Sequence, residues 1–204
     1  MLLAAVVALW LTVKKSTCAT VHAGFWVDDA VYDSQRLGIS LTREEIDRVA
    51  AVARGEIALA FRGLNIAFSD SRNPSYRVRV VEELRDLRFK WQMSVPAQSR
   101  AVSGMGGQGA VSLSWMASAA AGFVPQGAGR TALLDAIGTG VGRAAVHEFA
   151  HILLPRAPIH DSIDRGSYEY DTASRREQFA GDMHWDLAWR FLQKRLAPCA
   201  PPVP

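Results

Sequence analysis

The spacing of apolar residues divides the chain into helical and extended segments. After Thr42, the residues Ile46, Val49, Ala53, Ile57 and Ala60 recur every three to four positions and share one helical face. Thr42 with Glu45 three residues later is a capping box that starts this helix, and Gly63 stops it. The period returns in Leu134, Ile137, Val141, Ala145 and Phe149, predicting a second helix over 131–154 that ends at Pro155. Ser174 and Glu177 form another capping box, and Phe179, Met183, Leu187 and Phe191 continue it as a final amphipathic helix. Extended segments fall at 64–69 (LNIAFS), 76–81 (YRVRVV) and 110–115 (AVSLSW), with a turn over 70–75. The stretch 24–40 is mixed and takes no assignment, 82–100 is charged and irregular, and the glycine-rich runs 104–109 and 117–130 read as loops.

The apolar run at residues 2–13 is too short to span a bilayer and fits the core of an export signal. Val21-His22-Ala23 places small residues for cleavage before Gly24. The expected organisation is a signal-like segment over 1–23, one α+β domain over 24–197, and a tail over 198–204. That domain is a small twisted sheet with a long central helix and a C-terminal helix. The expected location is periplasmic or secreted.

Composition narrows the class. With 204 residues, 49% apolar and 21% charged, the chain can bury the core of one domain. A net charge of +3 carried by scattered single arginines gives no nucleic-acid footprint. No segment is long enough for a stable membrane span. Cys18 and Cys199 are too few for a cysteine-based zinc cluster, and a disulfide between the ends and two unpaired thiols are equal readings. The G-x-G-G-x-G run at 104–109 has no following Gly-Lys-Ser/Thr, so a nucleotide loop is set aside. Oligomeric state is not encoded in any pattern of the chain.

The chemistry concentrates in His147-Glu148-Phe149-Ala150-His151. Two histidines four apart on a helix face the same side one turn apart, so both imidazoles reach one ion. Glu148, next to the first, is placed to touch a water on that ion. Gly140 and Ala144 precede His147 on about the same face, which leaves room for another element to approach closely. Zinc hydrolases use three protein ligands and leave a fourth position for water. His160 is the preferred third ligand, with Glu177 and Glu169 as alternatives. Tyr168 and Tyr170 flank Glu169 and are candidates for hydrogen-bonding an oxyanion. Asp182 is a candidate to orient a ligand histidine. Met183 reads as a core residue.

The H-E-x-x-H pattern resembles the zincin metallopeptidases, and the continuation to His160-Asp161 is most similar to the metzincin clan. Here the third histidine lies three residues later than in that clan, and Leu154-Pro155 stands where the clan has a glycine turn. A methionine turn beneath the metal is not evident. The order of a long helix, strands and an active-site helix over about 41–196 also resembles the clan's amino-terminal lobe. The resemblance implies Zn²⁺ bound by His147, His151 and His160, Glu148 as general base, and a peptide or protein substrate paired with the strand that borders the cleft. Two other expectations stand beside it: a zincin-shaped binding domain with structural or no zinc, and a zinc hydrolase of non-peptide amides.

Overall fold

The computed structural model describes residues 19–34, 40–85, 94–102, 105–157, 159–160 and 163–198. The apolar run at 2–13, Cys18, Asp161 and Cys199 lie outside them. The fold is α/β, a five-stranded mixed sheet packed against two long helices. In chain order the strands are β1 (Val21–Val27), β2 (Ile66–Ser69), β3 (Tyr76–Val81), β4 (Ala97–Val102) and β5 (Gly106–Ser112). The helices are α1 (Asp29–Tyr32), α2 (Arg43–Ala60), α3 (Leu113–Phe123), α4 (Gly129–Leu153) and α5 (Trp189–Arg195).

The strand order is β2-β1-β3-β5-β4. The first four are parallel neighbours, and β4 runs antiparallel along the edge beside β5. Ala23, Phe25 and Val27 of β1, Val78 and Val80 of β3, and Val111 of β5 are buried on one face. That alternation is what a sheet covered on one side requires. α2 and α4 supply the cover with Ile46, Val49, Ala53 and Ile57 from one and Ile137, Val141, Ala145 and Phe149 from the other. Thr42 caps α2, accepting from the Glu45 N–H at 3.3 Å while the Glu45 carboxylate accepts from the Thr42 N–H at 2.9 Å. No described helix is long and apolar enough to cross a membrane.

α2 and α4 meet at glycine. A Cβ built at Gly138 would stand 2.6 Å from the Val52 Cβ and 2.8 Å from the Val49 carbonyl oxygen. Backbone cannot yield there as a side-chain tip can. Gly138→Val is therefore expected to cost about 1–3 kcal/mol and lower the thermal midpoint by several degrees, read by calorimetry.

Five sequence expectations change. β1 joins the end of the expected signal-like segment to the start of the unassigned stretch 24–40 and so runs through the expected cleavage point; a cut before Gly24 would remove Val21–Ala23 from their pairing with β2. The irregular stretch ends in β4, and the glycine-rich run at 104–109 enters β5. A Cβ on Gly107 would lie 2.7 Å from Ile152 of α4, and one on Gly109 would lie 3.2 Å from the Glu148 Cβ. These glycines let α4 lie close on the strand rather than loosen it. The 117–130 segment begins as helix, because α3 is rich in alanine and Ser112 caps it, accepting from the Trp115 N–H at 3.3 Å. The long final helix does not form. Residues 174–188 hold only a short 3₁₀ turn, Arg176–Gln178, and helix resumes as the seven-residue α5.

Candidate metal centre

α4 carries His147 and His151 on the side facing a cleft of about 410 Å³. Pro96 and, within β4, Ala97, Gln98 and Ser99 form one wall, and the segment 168–178 forms the other through Tyr170, Asp171, Ala173 and Arg175. The helix is fixed from behind by aromatic packing. Phe149 is fully buried and meets Phe68 and Phe61 edge-on at 5.1 and 6.3 Å between ring centroids.

Past Leu153 the chain leaves the helix at Leu154 and turns, with the Ala157 N–H donating to the Leu154 carbonyl at 3.0 Å. Leu154 and Ile159 are buried and anchor both sides of this turn. It returns His160 to the two helical histidines. The Nε2 atoms of His147 and His151 are 3.1 Å apart, and those of His151 and His160 are 3.0 Å apart. Among the described residues these three form the group of side chains able to hold a metal ion.

The donor chemistry fits a cation. A carbonyl only accepts, so the contact from His147 Nδ1 to the Tyr168 carbonyl at 2.8 Å requires the proton on Nδ1. A neutral His147 then turns a bare Nε2 lone pair toward the other two rings. Burial pushes the His147 imidazolium down to about 4 and that of His151 down to about 3, so both rings are neutral at neutral pH. The Nε2 atoms of His147 and His160 each lie about 3 Å from that of His151, and all three donor atoms lie within 4.8 Å of one another, close enough for ligands that share an ion at about 2.0–2.1 Å each.

Glu148 lines the same cleft on the side of β4. It is 6% exposed, burial raises its carboxyl to about 7, and a hydrogen bond from the Ser99 hydroxyl works against that rise. The three titrating groups set opposite slopes in the metal-free protein. Between about pH 4.5 and 6.5 the unfolded chain binds protons on His147 and His151 that the folded chain refuses, whereas the folded chain keeps a proton on Glu148 that the unfolded chain loses. His147 and Glu148 offset each other there, and His151 decides the sign. Metal-free protein is expected to lose stability as pH falls from 6.5, measured as the thermal midpoint between pH 4 and 7 with chelator present.

The other sequence candidates lie elsewhere. Glu169 is 1% exposed and faces the start of α5, where its carboxylate accepts from the N–H groups of Asp186 and Leu187 at 2.9 Å, from Ala188, and from the Ser167 hydroxyl. Glu177 is ion-paired with Arg165 at 3.4 Å and does not close the expected box with Ser174. Neither joins the histidine group. Tyr168 packs its ring on Trp185 at 5.0 Å and contributes its carbonyl to His147; burial raises its phenol to about 12. Tyr170 lines the cleft under the Arg175 guanidinium, 4.5 Å from its ring centroid. Asp182 is exposed, and the orienting role expected of it falls to the Tyr168 carbonyl. Met183 is half-buried against the core.

The residues that sequence reasoning missed are those that hold the far wall. Arg143, 5% exposed, pairs with Glu56 at 3.0 Å and donates to the carbonyls of Glu177, Ala180 and Gly181. Gln178 donates to the Gly140 carbonyl at 2.9 Å, and Arg175 donates to the carbonyls of Arg165 and Ser167. An arginine within the apolar half of a helix was the available signal, since such a charge is buried only with partners. Comparison with family models, with curated proteins and with solved structures returns no match.

Proposed function

We propose that this chain is a zinc-dependent peptidase of the zincin type, with His147, His151 and His160 as metal ligands and Glu148 as general base. The observation that carries the reading is the convergence of three imidazoles, those of His147 and His151 kept neutral by burial, beside a buried carboxyl in a cleft walled by a sheet edge. A zinc ion held there would polarise the substrate carbonyl and acidify a water.

The protein's own groups account for the rest. β4 pairs only with β5 among the described strands, so its second edge offers backbone N–H and C=O groups to an extended peptide. This favours a peptide over another amide. The Glu148 carboxylate accepts a proton from the water whose oxygen bonds to the peptide carbon. It returns that proton to the amine nitrogen as the C–N bond breaks. A cation close to Glu148 favours its carboxylate form against the burial that raises it, so the base is ready at neutral pH. Of the two tyrosines that line the cleft, Tyr170 is the one we assign to donate to the oxyanion, because the Tyr168 ring packs on Trp185. A purely structural zinc site would add a fourth protein ligand; among the described residues the group has three.

The test is metal content per chain after dialysis at pH 7.5, together with cleavage of a peptide library. One zinc per chain and chelator-sensitive cleavage support the reading. Absence of stoichiometric metal overturns it, and metal without cleavage favours a binding domain. The metzincin resemblance, the zinc identity and an exported location belong to this proposal.

A further inference from the structure

The opposite face of the sheet carries a second concavity, also about 410 Å³, that α2 and α4 do not cover. Strand register explains its composition. Gly24, Arg77, Gln108 and Arg100 lie side by side across β1, β3, β5 and β4. Trp26, Arg79, Ala110 and Gln98 form the next row on the same face. Neighbouring strands are about 4.8 Å apart, so Arg77 and Arg100 stand on either side of Gln108 within reach of one common group. Arg72 closes the rim from the turn after β2.

The four guanidinium groups are not equally satisfied. Arg79 is paired with Asp28 at 3.0 Å and Arg72 with Asp29 at 2.8 Å. Arg77 reaches only the Gln108 side-chain oxygen at 3.4 Å, and Arg100 has no carboxylate within ion-pair distance among the described residues. Among the described residues, the concavity therefore holds two positive charges that no carboxylate pairs with. Like charges gathered on one sheet face oppose folding, and this face adds nothing to the apolar core. Small Ala110 opens the floor between the rows, and Trp26 gives a flat apolar wall. Guanidinium groups recognise tetrahedral oxyanions by paired N–H donation.

We propose that this outer-face concavity is a binding site for a phosphate- or sulfate-bearing ligand, held by Arg77 and Arg100 with Gln108 between them. The site is separate from the histidine cleft, from which β4 divides it, and it does not depend on the peptidase reading.

The test is calorimetric titration of the full chain at low salt with inorganic pyrophosphate and, separately, with a sulfated disaccharide. Saturable binding of either at one site per chain is expected, and the probe bound more tightly identifies the source of the anion. Arg77→Gln with Arg100→Gln should weaken that binding by about tenfold or more, as loss of charge-assisted bonds requires. The same double variant should melt no lower than the parent, because it relieves repulsion. Absence of saturable binding of both probes up to 10 mM (roughly a Kd beyond the weak-ligand range) overturns the proposal. So does binding that the double variant leaves unchanged while its melting shows it folded. If the double variant fails to fold, Arg100→Gln alone replaces it under the same two criteria.

Discussion

Replacing Glu148 by glutamine is expected to lower peptide hydrolysis by about 10²–10⁴-fold while one metal ion stays bound per chain. Glutamine keeps the shape of the side chain and still accepts from the Ser99 hydroxyl, so the packing against Gly109 is preserved. What it loses is the ability to take a proton. His147, His151 and His160 are untouched, and so is the Tyr168 carbonyl that fixes the His147 tautomer. The measurement pairs turnover on a cleaved peptide with metal content by elemental analysis. Unchanged turnover with metal present would remove Glu148 from the mechanism and leave the metal site standing. Loss of metal together with turnover would show that Glu148 acts on the site's integrity instead.

His151→Ala is expected to abolish stoichiometric metal binding and, with it, hydrolysis. His151 Nε2 lies 3.1 Å from His147 Nε2 and 3.0 Å from His160 Nε2, so its removal leaves two nitrogens where three converge. The loss of affinity should exceed the about 10–100-fold typical of losing a hydrogen bond that merely supports a ligand. The matched control is His184→Ala. His184 is exposed, pairs with Asp164 at 2.7 Å and stands outside the histidine group, so that variant should retain metal. Titration with zinc in competition with a chelator distinguishes the two. Equal affinities would mean that the ion is not held by the helix.

The two variants separate two layers of the site. α4 brings His147, Glu148 and His151 together through local geometry alone. His160 is held by a turn between two buried apolar side chains, Leu154 and Ile159, rather than by a helical repeat. The wall opposite β4 depends on buried polar groups. Arg143, Arg175, Gln178 and Glu169 satisfy backbone groups of a segment with little regular structure. Buried backbone without such partners would be costly. The polar network thus does for residues 163–188 what hydrogen-bonded helix turns do for α4.

The sequence alone determined what depends on near neighbours along the chain. Periodicity placed α2 and α4 within two residues of their observed limits, and the Thr42–Glu45 box formed where the spacing put it. Alternation placed β3 over Tyr76–Val81. The four-residue interval put His147 and His151 on one face. Only the tertiary structure decided the rest. β1 is a central strand because its backbone pairs with β2 and β3, more than 40 residues away. Gly107 and Gly109 belong to a strand because β3 and β4 pair with them on either side, and their lack of a side chain admits α4 against it, contacts that no local pattern encodes. The second capping box stayed open because Glu177 paired with Arg165 and buried polar contacts held the backbone in another path. Local rules count neighbours within a turn or a pleat, whereas these outcomes were set by which distant surface arrived to bury, pair or exclude each residue.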